Sequence, residues 1–213
     1  LRLDGDDNAT ADDALERIET SGQPVLRLEL RDRYDLGAEL FRWQLATAVA
    51  RAILDIKPFD QPDVQLSKDV TAAVLSEHRA SGLLPASEAP GSLSGLLSLA
   101  RPGDYLAIMA YIQPTPENDR ALTLLRDQVV GRYRIATTLG YGPRFLHSTG
   151  QLHKGGPDTG LFLQITAAHK EDLQIPGAPY TFGTLADAQA LGDLRILQQL
   201  GRRVTRIQLG ANH

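Results

Sequence analysis

The run from Tyr105 to Ile112 is almost unbroken in apolar character, which fits a strand covered on both faces. A regular alternation follows it. Pro116 opens a helix to about Val130, Arg134 to Thr138 is a short strand, and Pro143 opens a helix that ends at Gly155-Gly156. Leu161 to Ala167 is a third strand, Thr184 to Leu200 a helix, and Arg203 to Leu209 a last strand. Strands that alternate with helices predict an α/β fold with a parallel, doubly wound sheet flanked by helices.

The first half of the chain is more helical. Residues 1–22 are acidic and polar, with a short helix around Ala11 to Glu19. Pro24 to Leu30 reads as a strand through Val25, Leu26, Leu28 and Leu30. Leu36 to Ile56 is a long helix, and Pro62 takes the first position of another that runs to about Ser81. Residues 82–95, with Gly82, Pro85, Pro90 and Gly91, form the expected hinge. The expected division is therefore residues 1–90, ending in a lysine-bearing helix, and residues 91–213, a second α/β lobe with a histidine helix. Tyr34-Asp35-Leu36-Gly37 and Tyr180-Thr181-Phe182-Gly183 form a faint echo ahead of two Ala-rich helices.

A chain of 213 residues can bury a core without covalent staples. Its net charge of -4, with both signs mixed along the chain, argues against a general nucleic-acid binder. It leaves room for a small anionic ligand held by a few local donors. The lack of Cys excludes disulfides and thiolate metal sites and fits a cytoplasmic protein. No apolar run approaches the roughly 20 residues of a membrane-spanning helix. The chain opens Leu1-Arg2-Leu3 without Met, as a piece of a longer polypeptide would.

Two segments carry candidate chemistry. The first is Pro58-Phe59-Asp60-Gln61-Pro62, followed by Lys68. With a helix from Pro62, the apolar stripe is Leu66, Val70, Ala73 and Val74. Lys68 lies on the other side, beside Val64, Thr71 and Leu75. Such a lysine either faces a cleft or is a solvated residue whose stem covers apolar area, and helix geometry alone favours the second.

The second segment runs from Gly140 to Gly156. On a helix opened by Pro143, His147, Gln151 and Lys154 fall at i, i+4 and i+7 and form one polar stripe, with Phe145 and Leu152 on the buried side. An imidazole, an amide and a cation suit a sugar hydroxyl beside an anion, although an ordinary amphipathic helix also shows such a face. His153 points away from the stripe, as a structural or solvent-facing residue. His78, His169 and His213 have no evident partners in the sequence. No HExxH, GxGxxG, P-loop or GxSxG pattern occurs.

Together the two segments resemble glucose-6-phosphate isomerase. Phe59-Asp60-Gln61 with Lys68 is similar to that family's Phe-Asp-Gln segment and its following lysine. His147-Ser148-Thr149-Gly150-Gln151 is similar to the His-Ser-x-Gly-Gln segment of its fusion-type members. Leu28-Glu29-Leu30, Tyr34-Asp35-Leu36-Gly37 and the long helix that follows are similar too. The pattern resembles most the C-terminal end of bifunctional transaldolase/glucose-6-phosphate isomerase fusions, over most of the chain.

The resemblance implies a sugar-isomerase-domain-like (flavodoxin-like) fold and the interconversion of glucose 6-phosphate and fructose 6-phosphate. The implied route is ring opening and then proton transfer through a cis-enediol, with no cofactor and no metal. It implies Lys68 and His147 as catalytic residues, with Gln61, Arg144, Ser148, Gln151 and Lys154 binding substrate. Its partners would be a sugar phosphate and the upstream part of the same polypeptide, an isomerase lobe with or without a transaldolase domain. Nucleic acid and membrane are not expected, and a homo-oligomer is compatible.

Two departures stand out. In the ordinary isomerase the histidine segment precedes the lysine segment, whereas here Lys68 precedes His147. The family's Glu-Ser-x-Gly-Lys segment, which holds its carboxylate base, is absent from this chain, as is its Ser/Thr-rich phosphate loop. Glu117 is the local candidate base, although its place behind Pro116 also suits a helix N-terminus. The chain alone is therefore expected not to turn over substrate. The alternative is a non-catalytic sugar-phosphate-binding or scaffolding domain of the same fold.

Overall fold

The structure, a computed structural model, describes residues 1–7, 9–57, 59–60, 62–86 and 91–210, with Leu146 described by its backbone only. It divides into two compact units, residues 1–60 and 61–213.

In the first unit β1 (Arg2–Leu3) pairs in parallel with β2 (Glu29–Leu30), and α1 (Ala9–Thr20) connects them. The expected strand from Pro24 shrinks to two residues, because β1 offers only two residues for it to pair with. Next comes α2 (Asp35–Leu54), closed by Asp55 in the left-handed conformation. Ahead of that helix the Arg31 guanidinium grips Asp35 through Nε and Nη2, each at 3.0 Å, and lowers the carboxyl pKa to about 2.

The second unit contains a four-stranded parallel sheet in the order β4-β3-β5-β6. Its strands are β3 (Tyr105–Tyr111), β4 (Ala136–Tyr141), β5 (Gly160–Ala167) and β6 (Arg203–Leu209). The chain enters at β3, moves outward to β4, then crosses back to β5 on the other side of β3. Strands β3 and β5 are central and buried on both faces, which accounts for the unbroken apolar sequence of β3; β5 is apolar except for Gln164 and Thr166, both buried.

One face of β3, with Leu106, Ile108 and Ala110, packs under α4 (Leu93–Leu97) and α5 (Pro116–Tyr133) through Leu96, Leu97, Leu122 and Val129. The other face, with Ala107, Met109 and Tyr111, packs on Phe145, Phe162, Ala190 and Leu197. This second face lies under α6 (Ser148–Gly155) and α7 (Phe182–Gln199). Helix α7 is buried almost all round, because it has the sheet on one side and α3 (Pro62–Ser81) on the other.

Thr115 and Thr181 cap α5 and α7, each accepting a hydrogen bond from the backbone N–H three residues on. Arg203 holds the lower end of β6, donating to both carboxylate oxygens of Asp104; the Nη2–Oδ1 distance is 3.0 Å. That ion pair keeps the Asp104 pKa low.

The division of the chain falls at 60/61, where the sequence reading places it at 90/91. The difference follows from α3, which packs on α7 through Val74, Ala188 and Leu191 and so belongs with the sheet. The buried side of α3 is also turned from the expected stripe. Ser67 and Val74 are buried while Leu66 is exposed. Ser67 tolerates this position because its hydroxyl donates to the Asp63 carbonyl at 2.9 Å. Among the described residues, no helix is long and apolar enough to cross a membrane.

Candidate functional site

Parallel α/β sheets bind ligands beyond the carboxyl ends of their strands, beside the point where the strand order reverses. Here the reversal lies at β3, and the chain leaving β4 forms one wall of a cavity in that region. Gly142 lies close against the Tyr111 ring, where a Cβ would fall 2.5–2.7 Å from ring atoms. The chain then makes one 3-10 turn, Arg144–Leu146, before α6 begins at Ser148.

This replaces the single helix expected from Pro143. Phe145 must turn inward to meet Tyr111 edge-on at 5.5 Å, and the chain breaks at His147 before the helix proper. As a result His147 precedes α6 and does not share a helical stripe with Gln151 and Lys154. Leu152, expected to be buried, is exposed.

The cavity holds about 410 Å³. Helix α3 contributes Lys68 together with Val64, Thr71 and Leu75, the same neighbours that helical spacing predicts for it. The turn after β4 contributes Arg144 and His147, and α7 contributes Gln189. The wall thus carries two permanent cations and an imidazole, with no carboxylate among the described residues that line it. Such a surface favours an anion that also offers hydroxyls and apolar area.

Arg144 is oriented from behind, with its guanidinium carbon 5.9 Å from the Tyr141 ring centroid. Tyr141 in turn donates its hydroxyl to Asp119 Oδ1 at 2.6 Å. Burial and Asp119 push the Tyr141 pKa up to about 12, so the phenol remains a donor at neutral pH.

The other expected site residues lie elsewhere. Lys154 is buried and forms an ion pair with Asp193 at 2.5 Å, so it is a core residue and not a substrate ligand. Burial raises the Asp193 pKa, and Lys154 opposes that rise. Gln151 is hydrogen-bonded to Asp63 through both ends of its amide, which corrects its assignment as a substrate ligand. Ser148 is exposed at the start of α6, outside the cavity lining. Glu117 sits in the first turn of α5, with Arg120 Nη2 at 3.1 Å, and does not line the cavity. Gln61 and His213 lie outside the described residues.

His153 is structural: it is buried against Phe162, with ring centroids 4.9 Å apart, and burial followed by the Lys154 charge lowers its pKa to about 4.

Sequence reasoning missed three features. Gln189 reaches the cavity from a helix whose other faces are core. His169 pairs with Asp187 at 3.1 Å beyond the end of β5, a contact no sequence spacing reveals. A buried polar group runs under α7, where Gln164 accepts from Arg206 Nε at 2.6 Å and donates to the Ala190 carbonyl at 2.9 Å. None of the three had a signal in the sequence; Asp193, missed as well, had one, as a carboxylate inside Ala190-Leu191-Gly192-Asp193-Leu194 that demands a buried partner.

Fold and cavity together define an open α/β protein with a cationic cleft at the carboxyl end of a parallel sheet. No family model matches the sequence, and no curated protein matches it. Among solved structures it is similar to a hypothetical protein from Thermus thermophilus, at 23% identity and a TM-score of 0.47. The match covers 66% of this chain and 39% of that one, so the chain spans about two fifths of the length of that protein.

Proposed function

We propose that this chain is the C-terminal part of a phosphosugar isomerase of the glucose-6-phosphate isomerase type, with a sugar-isomerase-like domain at residues 61–213. One observation carries the reading: Lys68 and His147, far apart in sequence, line a single cavity together with Arg144. About 410 Å³ lies within the roughly 300–1,000 Å³ of small-molecule sites.

In this reading His147 moves a proton at the ring oxygen or the C1 hydroxyl during ring opening. The Lys68 ammonium stabilises negative charge on the oxygen it faces. Arg144 supplies a planar donor set for the phosphate. Proton transfer between C1 and C2 needs a carboxylate, and the upstream part of the polypeptide would provide it. The reaction needs no cofactor, and the protein would work in the cytoplasm.

A second reading, a non-catalytic sugar-phosphate-binding domain, is favoured by the lack of a carboxylate among the described lining residues.

Titration with fructose 6-phosphate, followed by calorimetry, tests both. Lys68→Ala and His147→Ala should each weaken binding, and in the full-length polypeptide each should lower isomerase turnover by about 10²-fold or more. Binding that neither substitution alters would end both readings. Binding without turnover in the full-length polypeptide would select the second.

A further inference from the structure

The lysine helix and the histidine segment are joined by a reciprocal hydrogen-bonded bridge. Gln151 Nε2 donates to Asp63 Oδ2 at 2.6 Å, and the Asp63 backbone N–H donates to Gln151 Oε1 at 3.1 Å. The bridge is part-buried and links residues 88 positions apart. Asp63 lies in the first turn of α3, shortly before Lys68. Gln151 follows His147 by one helical turn, and its own N–H donates to the His147 carbonyl at 3.0 Å.

Gly155 closes over the pair. A Cβ there would fall 2.7 Å from Gln151 Nε2 and 2.8 Å from Asp63 Oδ2. The missing side chain is what leaves room for the bridge.

We propose that Asp63 and Gln151 are a positioning clamp that sets the spacing of Lys68 and His147 across the cavity. Gln151 acts by holding α6 to α3 and not by touching a ligand. The clamp deepens the proposed function and rests on reading the cavity as a sugar-phosphate site. Its physical basis is that helices are stiff over one or two turns. A slip at the bridge therefore moves Lys68 relative to His147, and in a catalytic site an error of about 1 Å can cost about 10²-fold in rate.

The hydrogen bonds dictate which substitutions are tolerated. Asp63→Asn keeps an acceptor for the Gln151 amide. Gln151→Glu sets two acceptors against each other. Combining the two exchanges donor and acceptor: the new carboxylate at 151 accepts from the side-chain amide at 63 and from the backbone N–H of 63.

The test is titration of the full chain with fructose 6-phosphate, well below each variant's melting midpoint. Gln151→Glu and Gly155→Ala should weaken affinity at least about tenfold, Asp63→Asn by no more than about twofold, and the double exchange should restore it to within about threefold. A double exchange no better than Gln151→Glu alone overturns the clamp, as does wild-type affinity in Gln151→Glu.

If the wild-type chain binds no fructose 6-phosphate, the cavity reading fails and the clamp is judged separately by amide hydrogen exchange over residues 64–68. Gln151→Glu should then speed exchange about tenfold and the double exchange should reverse it. Unchanged exchange overturns the clamp.

Discussion

Lys68 on α3 and Lys154 on α6 are both lysines of motif segments on helices, yet their surroundings are opposite. Lys68 is exposed and lines a cavity with no carboxylate among its described lining residues. Lys154 is buried beneath α7, with its ammonium 2.5 Å from Asp193. One charge is available to a ligand and the other is consumed by the core. The difference arises from α7, which presents Gln189 towards the cavity and Asp193 towards the interior. Helical position within a motif therefore does not assign a lysine; what the neighbouring helix offers it does.

The largest test of this contrast is to remove the buried cation. Lys154→Ala removes the hydrogen-bonded counter-charge of Asp193 and leaves it only the more distant field of Arg206, and should lower unfolding stability by about 3–5 kcal/mol in urea titrations. Replacing both partners, Lys154→Met with Asp193→Leu, should recover most of that loss, because a buried pair often does no better than apolar residues of similar volume. A single substitution costing under about 1 kcal/mol would show that Lys154 and Asp193 are not a buried ionic unit.

Next to Lys154, His153 turns the same burial into a pH dependence. The folded chain gives up the imidazole proton at about pH 4, against 6.5 for the ordinary group. Between those values the unfolded chain binds more protons, so stability falls as pH drops from about 6.5 towards 4 and then levels off. At 1.36 kcal/mol per pKa unit the loss approaches about 3 kcal/mol. His153→Gln should flatten this part of the profile, measured as denaturation midpoint against pH. In the Lys154→Met, Asp193→Leu background the slope should shrink, since the lysine charge is the lesser cause of the shift.

Much of this arrangement was legible in the sequence where one local rule decided the outcome. Pro62 fixes the start of α3, which runs to Ser81 as its pattern predicts, and helical spacing gives Lys68 its cavity neighbours Val64, Thr71 and Leu75. The apolar run of β3 announces a strand buried on both faces, and Leu161 to Ala167 reads as the strand that β5 proves to be.

What stayed hidden depends on partners distant in sequence. The break at His147 follows from Phe145 seeking Tyr111. The burial of Lys154 needs Asp193, and the use of Gln151 needs Asp63. Helical periodicity places these polar residues on an exposed stripe, because it cannot tell a face turned to water from one turned to another helix.

The smallest expected stability change belongs to Lys68, and it bears most directly on the contrast between the two lysines. Its side chain is exposed and has no carboxylate partner among the described cavity residues, so Lys68→Ala should change unfolding stability by no more than about 0.5 kcal/mol. The same substitution removes one of the cavity's two permanent cations, and should weaken fructose 6-phosphate binding by about tenfold or more. Lys68→Arg keeps the charge but not the compact ammonium, and should fall between the two. A large stability loss in Lys68→Ala with unchanged affinity would place Lys68 with Lys154 among residues that serve the fold, and leave the cavity without the group that most distinguishes it.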